Sequence, residues 1–191
     1  DRFYQQLSRV SPDSAPYLFP TEQDRLAYWI NAYNATVITG VLAHYPIDSV
    51  ADVKAPPLLF FFPSKSGFFF FQRFRYGGVD TSLYYLEHRV IRARFADPRY
   101  HFALNCASSS CPQLAAEPYL PERLDEQLEQ ATRQFINDPE HVRYDAARNT
   151  LHLSAIFKWY RGDFLSWLQK ELPDEPVQLS DYISRYVDAQ T

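Results

Sequence analysis

Methionine is absent from the 191 residues, and cysteine occurs only twice, as Cys106 and Cys111. Without an initiator methionine the expectation is a processed or truncated chain. Two cysteines in a chain of this length do not make a disulfide framework. They either bridge locally or stay as thiols. No stretch reaches the roughly 20 apolar residues that a spanning helix needs, and no signal peptide is present, which its removal in processing would also explain. Long runs of one charge are missing too: the formal net charge is -4, spread along the chain, which argues against a dedicated nucleic-acid surface. Internal repeats and low-complexity tracts are absent. The missing start and the scarce cysteines favour an exported or periplasmic setting.

What is present is apolar and unusually aromatic. Hydrophobic residues make up 46% of the chain and aromatic ones 17%, enough to bury a real core, and the length suits one domain. Residues 1–20 read as a helical tail followed by a proline-rich connector, and 21–191 as the core of that single domain. Thr21 is placed to cap a long helix running to a stop near Tyr45 and Pro46. Its apolar face gathers Leu26, Ile30, Val37 and Val41, with Asn34 inside that face and Asn31 at its edge. Residues 47–55 allow one helical turn.

The two aromatic runs flanking PSKSG read as a β-hairpin, with Gly77 and Gly78 ending its second strand. An exposed aromatic patch for a protein partner or a membrane surface is the alternative use of these runs. A second helix follows from Thr81 and ends before Asp97 and Pro98. Its apolar arc holds Leu83, Tyr84, Leu86, Val90, Ile91 and Phe95, with Glu87 near the middle and His88 on the rim. A carboxylate at such a place must be paired, multiply hydrogen-bonded or protonated. Arg89, Arg92, Arg94 and Arg99 read as a solvated or ion-paired helix face. Residues 101–104 read as a short buried strand. Pro121 opens an amphipathic helix, 141–144 and 150–153 form a second hairpin, and Ser154 caps a helix whose edge carries Asp163. A closing helix follows near the end of the chain.

The densest chemistry lies in HFALNCASSSCPQ, residues 101–113. Cysteine catalysis needs a thiolate, a histidine beside it, donors for an oxyanion and often a group that orients the histidine. Cys106 is the candidate nucleophile and His88 the candidate base, with Glu87 and Asn31 as the remaining catalytic candidates. Asn34, Asn105, Ser108, Ser109 and Asp163 are the candidate substrate-binding groups, the amides near Ser108 and Ser109 serving as oxyanion donors. A buried structural cysteine and a satisfied histidine are the plainer reading of the same residues. Metal binding by His101, Cys106 and Cys111 fits poorly, because CxxxxC is wider than common zinc knuckles and no second pair follows. No metal or other cofactor is expected.

YWINAYNATVI, SLYYLEHRVIR, HFALNCASSSCP and LSAIFKWYRGDF, in this order, resemble the DUF547 family, a domain of unknown function, from about Leu26 to Tyr186. The resemblance maps the family's polar positions onto Asn31, Asn34, Glu87, His88 and Cys106, and it weakens the metal and obligatory-disulfide readings, since the position of Cys111 can be serine in the family and that of His101 is not always histidine; Cys106 with His88 fits the resemblance best. It points towards a cysteine site of the papain or transglutaminase kind, although His88 precedes Cys106, the reverse of the papain order.

The fold expected is therefore α+β, mostly helical, with a small antiparallel sheet built from the aromatic hairpin, the 101–104 strand and the later hairpin, distantly papain/transglutaminase-like. The function expected is thiol-dependent hydrolysis or acyl transfer on an amide, peptide or ester, with a peptide or small-molecule substrate. The alternative is a noncatalytic module that binds a partner or peptide and whose polar motifs brace its core.

Overall fold

The computed structural model describes residues 2–57, 66–108 and 110–188. Its architecture is α+β and mostly helical, with strands confined to two antiparallel pairs among the described residues. The chain divides into two compact units. The first comprises the chain up to Phe95 together with Glu117–Leu124; the second comprises Ala96–Ala116 and the chain from Asp125 onward.

The first unit is organised on helix α2 (Glu22–Ala43), preceded by α1 (Arg2–Arg9) and a 3-10 turn at Pro16–Leu18. Thr21 and Asp24 form a reciprocal capping box at the start of α2, which satisfies backbone donors that the first helical turn leaves open. Leu26, Ile30 and Val37 are buried as their spacing predicts, and so is Asn34. Residues 47–55 supply the expected single turn, a 3-10 helix at Val50–Asp52 capped by Ser49.

The aromatic hairpin is a correction. Its first run and PSKSG fall largely at 58–65, outside the described residues. The second run is not a strand: Gly67–Phe71 winds into a π-helical turn that buries Phe68 completely. Gly40 lets the Phe68 ring approach α2, since a Cβ there would lie 3.0 Å from the ring. The strands come later, as β1 (Phe74–Tyr76) and β2 (Val79–Thr81), in register Phe74↔Thr81 and Tyr76↔Val79. Gly77 and Gly78 form the turn between them, with φ of 55° and 88°. Two successive positive φ values are what a tight hairpin turn demands, so these glycines join strands instead of ending one. Their N–H groups donate to Leu7 O and Ser8 O, which ties the hairpin to α1.

Ser82, one residue after the expected cap, accepts from Tyr85 N–H and starts a continuous helical stretch: α3 (Leu83–Tyr85), a π-helical segment at Leu86–Ile91, and α4 (Arg92–Arg94). The wider π turn shifts the helical phase. Leu83, Leu86, Val90, Ile91 and Phe95 remain buried, but Tyr84, assigned to the apolar arc, lies exposed.

In the second unit, Asp97 caps a 3-10 helix at Pro98–Phe102 and accepts from Arg99 N–H. The expected 101–104 strand is therefore absent. Proline at the first helical position presets the turn, and four successive buried residues, His101 to Leu104, show no alternation that would favour a strand. Arg99 bonds Asp97 and Asp125 at 2.7 and 2.6 Å, with Glu129 at 3.5 Å. Burial by itself would pull its pKa down, but Asp97 and Asp125 outweigh it and push it up. The ion-paired reading of this arginine holds.

A 3-10 turn at Pro121–Arg123 leads into α5 (Leu124–Ile136), followed by the hairpin β3 (Val142–Asp145) and β4 (Thr150–Leu153). Ser154 caps α6 (Ala155–Trp159) as expected, but the helix breaks at Tyr160 before α7 (Arg161–Glu171); α8 (Leu179–Ser184) is the closing helix. Phe102, Phe135, Phe157, Phe164 and Tyr182 form one aromatic core within this unit. No helix among the described residues is long and apolar enough to cross a membrane.

Candidate functional site

Cys106 and Cys111 are joined as a disulfide, with Cα atoms 6.0 Å apart. Cys106 is partly exposed, whereas Cys111 is buried. The local-bridge reading is thus the one realised, and the sulfur read as a nucleophile is bonded to Cys111 and cannot act as a thiolate until a reductant releases it. Ala107, at φ 53°, turns the chain sharply after Cys106. Asn105 closes the same loop in parallel with the disulfide: its Oδ1 accepts from Ala107 N–H at 2.9 Å and its Nδ2 donates to Pro112 O at 2.8 Å. Cys111 N–H donates to Ser108 O, and the Ser154 hydroxyl donates to Ser110 O. Ser108 is exposed; Ser109 lies outside the described residues.

The second unit also holds an imidazole and a carboxylate that meet. His101 Nε2 lies 2.8 Å from Asp163 Oδ2, the histidine side chain 1% exposed and the carboxylate 26%. A carboxylate only accepts, so Nε2 carries the hydrogen and donates it. The Tyr160 ring stacks on His101 at 3.9 Å, and Phe164 stands behind it at 5.6 Å. The break between α6 and α7 sets both contacts, because it turns Tyr160 and Asp163 towards the same ring. In the sequence Asp163 reads as a helix-edge residue and candidate binding group, and His101 as the start of a buried strand and a poorly fitting metal ligand. They stand 62 positions apart, and no local pattern joins the two.

The remaining candidates lie in the first unit. His88 Nδ1 accepts from Arg92 Nη1 at 2.8 Å, and its ring packs on Tyr84 at 4.2 Å. Glu87 is buried, and its Oε2 accepts from the Tyr33 hydroxyl at 3.1 Å. The Glu87 carbonyl accepts from the N–H of Arg92, five residues on, the bond that makes this turn a π turn. Asn31 is held at both ends of its amide: its Nδ2 donates to Tyr119 O at 2.7 Å and its Oδ1 accepts from Tyr119 N–H at 2.9 Å. Burial pushes the Tyr119 hydroxyl's pKa up to about 12. Asn31→Ala is expected to lower stability by about 1–3 kcal/mol, since both Tyr119 backbone groups lose their partner. Urea unfolding measures this, and a loss under a few tenths of a kcal/mol would show that water replaces the amide.

Cys106, Asn105, Ser108, His101 and Asp163 therefore share the second unit, and Asn31, Asn34, Glu87 and His88 share the first. Among the described residues no group of three or more His, Cys, Asp or Glu side chains is arranged to hold a metal ion. The model of DUF547, described as a protein of unknown function, matches residues 19–136. The chain belongs to the DUF547 family. The match covers the asparagine helix, the Glu87–His88 pair and the cysteine loop of this DUF547 chain, and it ends before the motif that carries Asp163. No curated protein and no solved structure matches the chain.

Proposed function

We propose that this DUF547 chain carries out thiol-dependent acyl chemistry, hydrolysis or transfer on an amide, peptide or ester, once the Cys106–Cys111 disulfide has been reduced. The observation that carries the reading is the buried His101–Asp163 pair in the same unit as Cys106. Nucleophilic cysteine needs an imidazole held in one tautomer, and a carboxylate on one ring nitrogen does that. His101 replaces His88 as base in this reading, because His101 shares the second unit with Cys106 and has a carboxylate on Nε2, whereas His88 belongs to the first unit.

A thiol reductant first supplies two electrons and two protons and leaves Cys106 and Cys111 as thiols. The His101 imidazole takes the Cys106 proton, and the thiolate attacks the acyl carbon. The imidazolium, steadied by Asp163, returns the proton to the leaving amine or alkoxide, giving a thioester. Water or an acceptor amine then releases the acyl group and restores the Cys106 thiol. A Cys, His and Asp set on a mostly helical α+β scaffold is of the papain or transglutaminase kind, and a disulfide resting state suits an exported or periplasmic setting.

The test is iodoacetamide labelling of Cys111→Ser, whose Cys106 is free without added reductant. Labelling should persist at least about one pH unit below the ordinary thiol range near 8.5, and return to that range in the Cys111→Ser, His101→Asn double variant. An ordinary profile in both would sink the enzyme reading. The second reading, a noncatalytic partner- or peptide-binding module, would then stand. It has its own support in the braces that Asn31 and Asn105 form.

A further inference from the structure

The first unit contains a cleft of about 410 Å³ between α1, the Pro16–Leu18 turn, α2 and the Tyr119–Pro121 segment. This lies within the range of roughly 300–1,000 Å³ that small-molecule sites occupy. Its walls are mainly apolar, among them Leu7, Val10, Phe19 and Ala27. Phe3 and Leu18 reach its edge and remain 46% and 53% exposed. Two polar groups of the walls are committed within the chain: the Tyr28 hydroxyl donates to Val10 O at 2.7 Å, and both ends of the Asn31 amide are held by Tyr119.

Among the described residues one charged side chain lines the cleft, Asp24, and it is solvated. Hydrogen bonds from the Thr21 hydroxyl and backbone hold its pKa below the usual carboxylate value, so it is anionic at neutral pH. Arg25 is not itself in the wall, but its guanidinium is held on the carbonyls of the wall residue Phe19 and of Pro20, and its charge acts on Asp24.

We propose that this cleft binds a small, largely apolar molecule whose head group is neutral or cationic, in its simplest form an alkyl amine or alcohol. Because Tyr28 and Asn31 are already satisfied, an alkyl tail beside them costs no hydrogen bond, and affinity comes from removing apolar surface from water. The Asp24 carboxylate at the wall selects against an anionic head and for a cationic one. The cleft belongs to the first unit and the cysteine loop to the second, and the test of the cleft does not depend on thiol chemistry.

Octylamine, octanol and octanoate share one tail length and differ in head charge, so they serve as probes for the whole chain. Calorimetry and amide NMR shifts should show saturable binding of one octylamine or octanol per chain. The shifts should centre on residues 3–10, 18–31 and 119–121, with octanoate about fivefold weaker or worse. Ala27→Phe, which fills the cleft, should weaken octylamine about tenfold or more. Leu18→Ala removes exposed wall without touching the core and should weaken it about threefold. Absence of saturable shifts, equal affinity for all three heads, or unchanged affinity in folded Leu18→Ala would overturn the proposal. Shifts of the same amides on raising protein concentration alone would overturn it in favour of a second copy of the chain as occupant.

Discussion

Phe102→Ala should lower stability by about 3–5 kcal/mol, the range for deleting a large buried ring. Phe102 is 1% exposed, and its ring stands 4.9 Å from Phe135, 5.6 Å from Phe164 and 5.7 Å from Phe157. Those neighbours come from α5, α6 and α7, with Tyr182 of α8 at 6.5 Å. A void left among rings anchored on four helices cannot be closed by relaxing one of them, so little of the lost contact is recovered. Phe102→Leu retains most of the apolar volume and should lose clearly less. Urea unfolding followed by far-UV circular dichroism measures both; a loss below about 1 kcal/mol for the alanine variant would mean that the aromatic core collapses onto the gap.

Gly67→Ala should cost about 3 kcal/mol or more, and in cells should reduce the yield of folded protein. A Cβ at this position would fall on the backbone carbonyl oxygens of Val53 and Lys54. A side chain can swing aside, but two carbonyls fixed just after the Val50–Asp52 turn can give way only if the backbone moves. The π turn from Gly67 would then shift, and with it Phe68, which is fully buried. Gly78, where an added Cβ would meet nothing within 4 Å, is a useful comparison, although its positive φ gives alanine a smaller conformational cost of its own. Equal losses at the two glycines would indicate that the contact with Val53 and Lys54 costs no more than the left-handed conformation at Gly78.

The parts of the fold that were legible in the sequence are those whose causes lie within a few residues. Thr21 with Asp24, Ser154 before Ala155 and the 141–153 hairpin all sat where the chain showed a cap or a turn. The misread parts were apolar runs without a period. His101–Leu104 is buried on every side, which a strand and a 3-10 turn satisfy equally, and Asp97 with Pro98 decided it. In the same way, phenylalanine's strand preference at 68–71 yielded to the close approach that Gly67 permits. The candidate site was legible as residue types and not as partners. Asn31 reads as a group for orienting a base, and no local signal shows that its amide pairs with Tyr119, 88 positions away. Cys106 stood out in its loop, but nothing local joined His101 to Asp163.

The Asn31–Tyr119 clamp also bears on how the chain is made. Its two halves leave the ribosome far apart in time, and the first unit lacks Glu117–Leu124 until the chain has grown past residue 124. During vectorial synthesis, α2 therefore waits with an amide at its edge that only water can satisfy, while Ala96–Ala116 of the other unit is already being made. A fragment ending at Phe95 is for the same reason an incomplete unit. Limited proteolysis of nascent chains stalled before and after residue 124 would reveal protection arriving late and in one step.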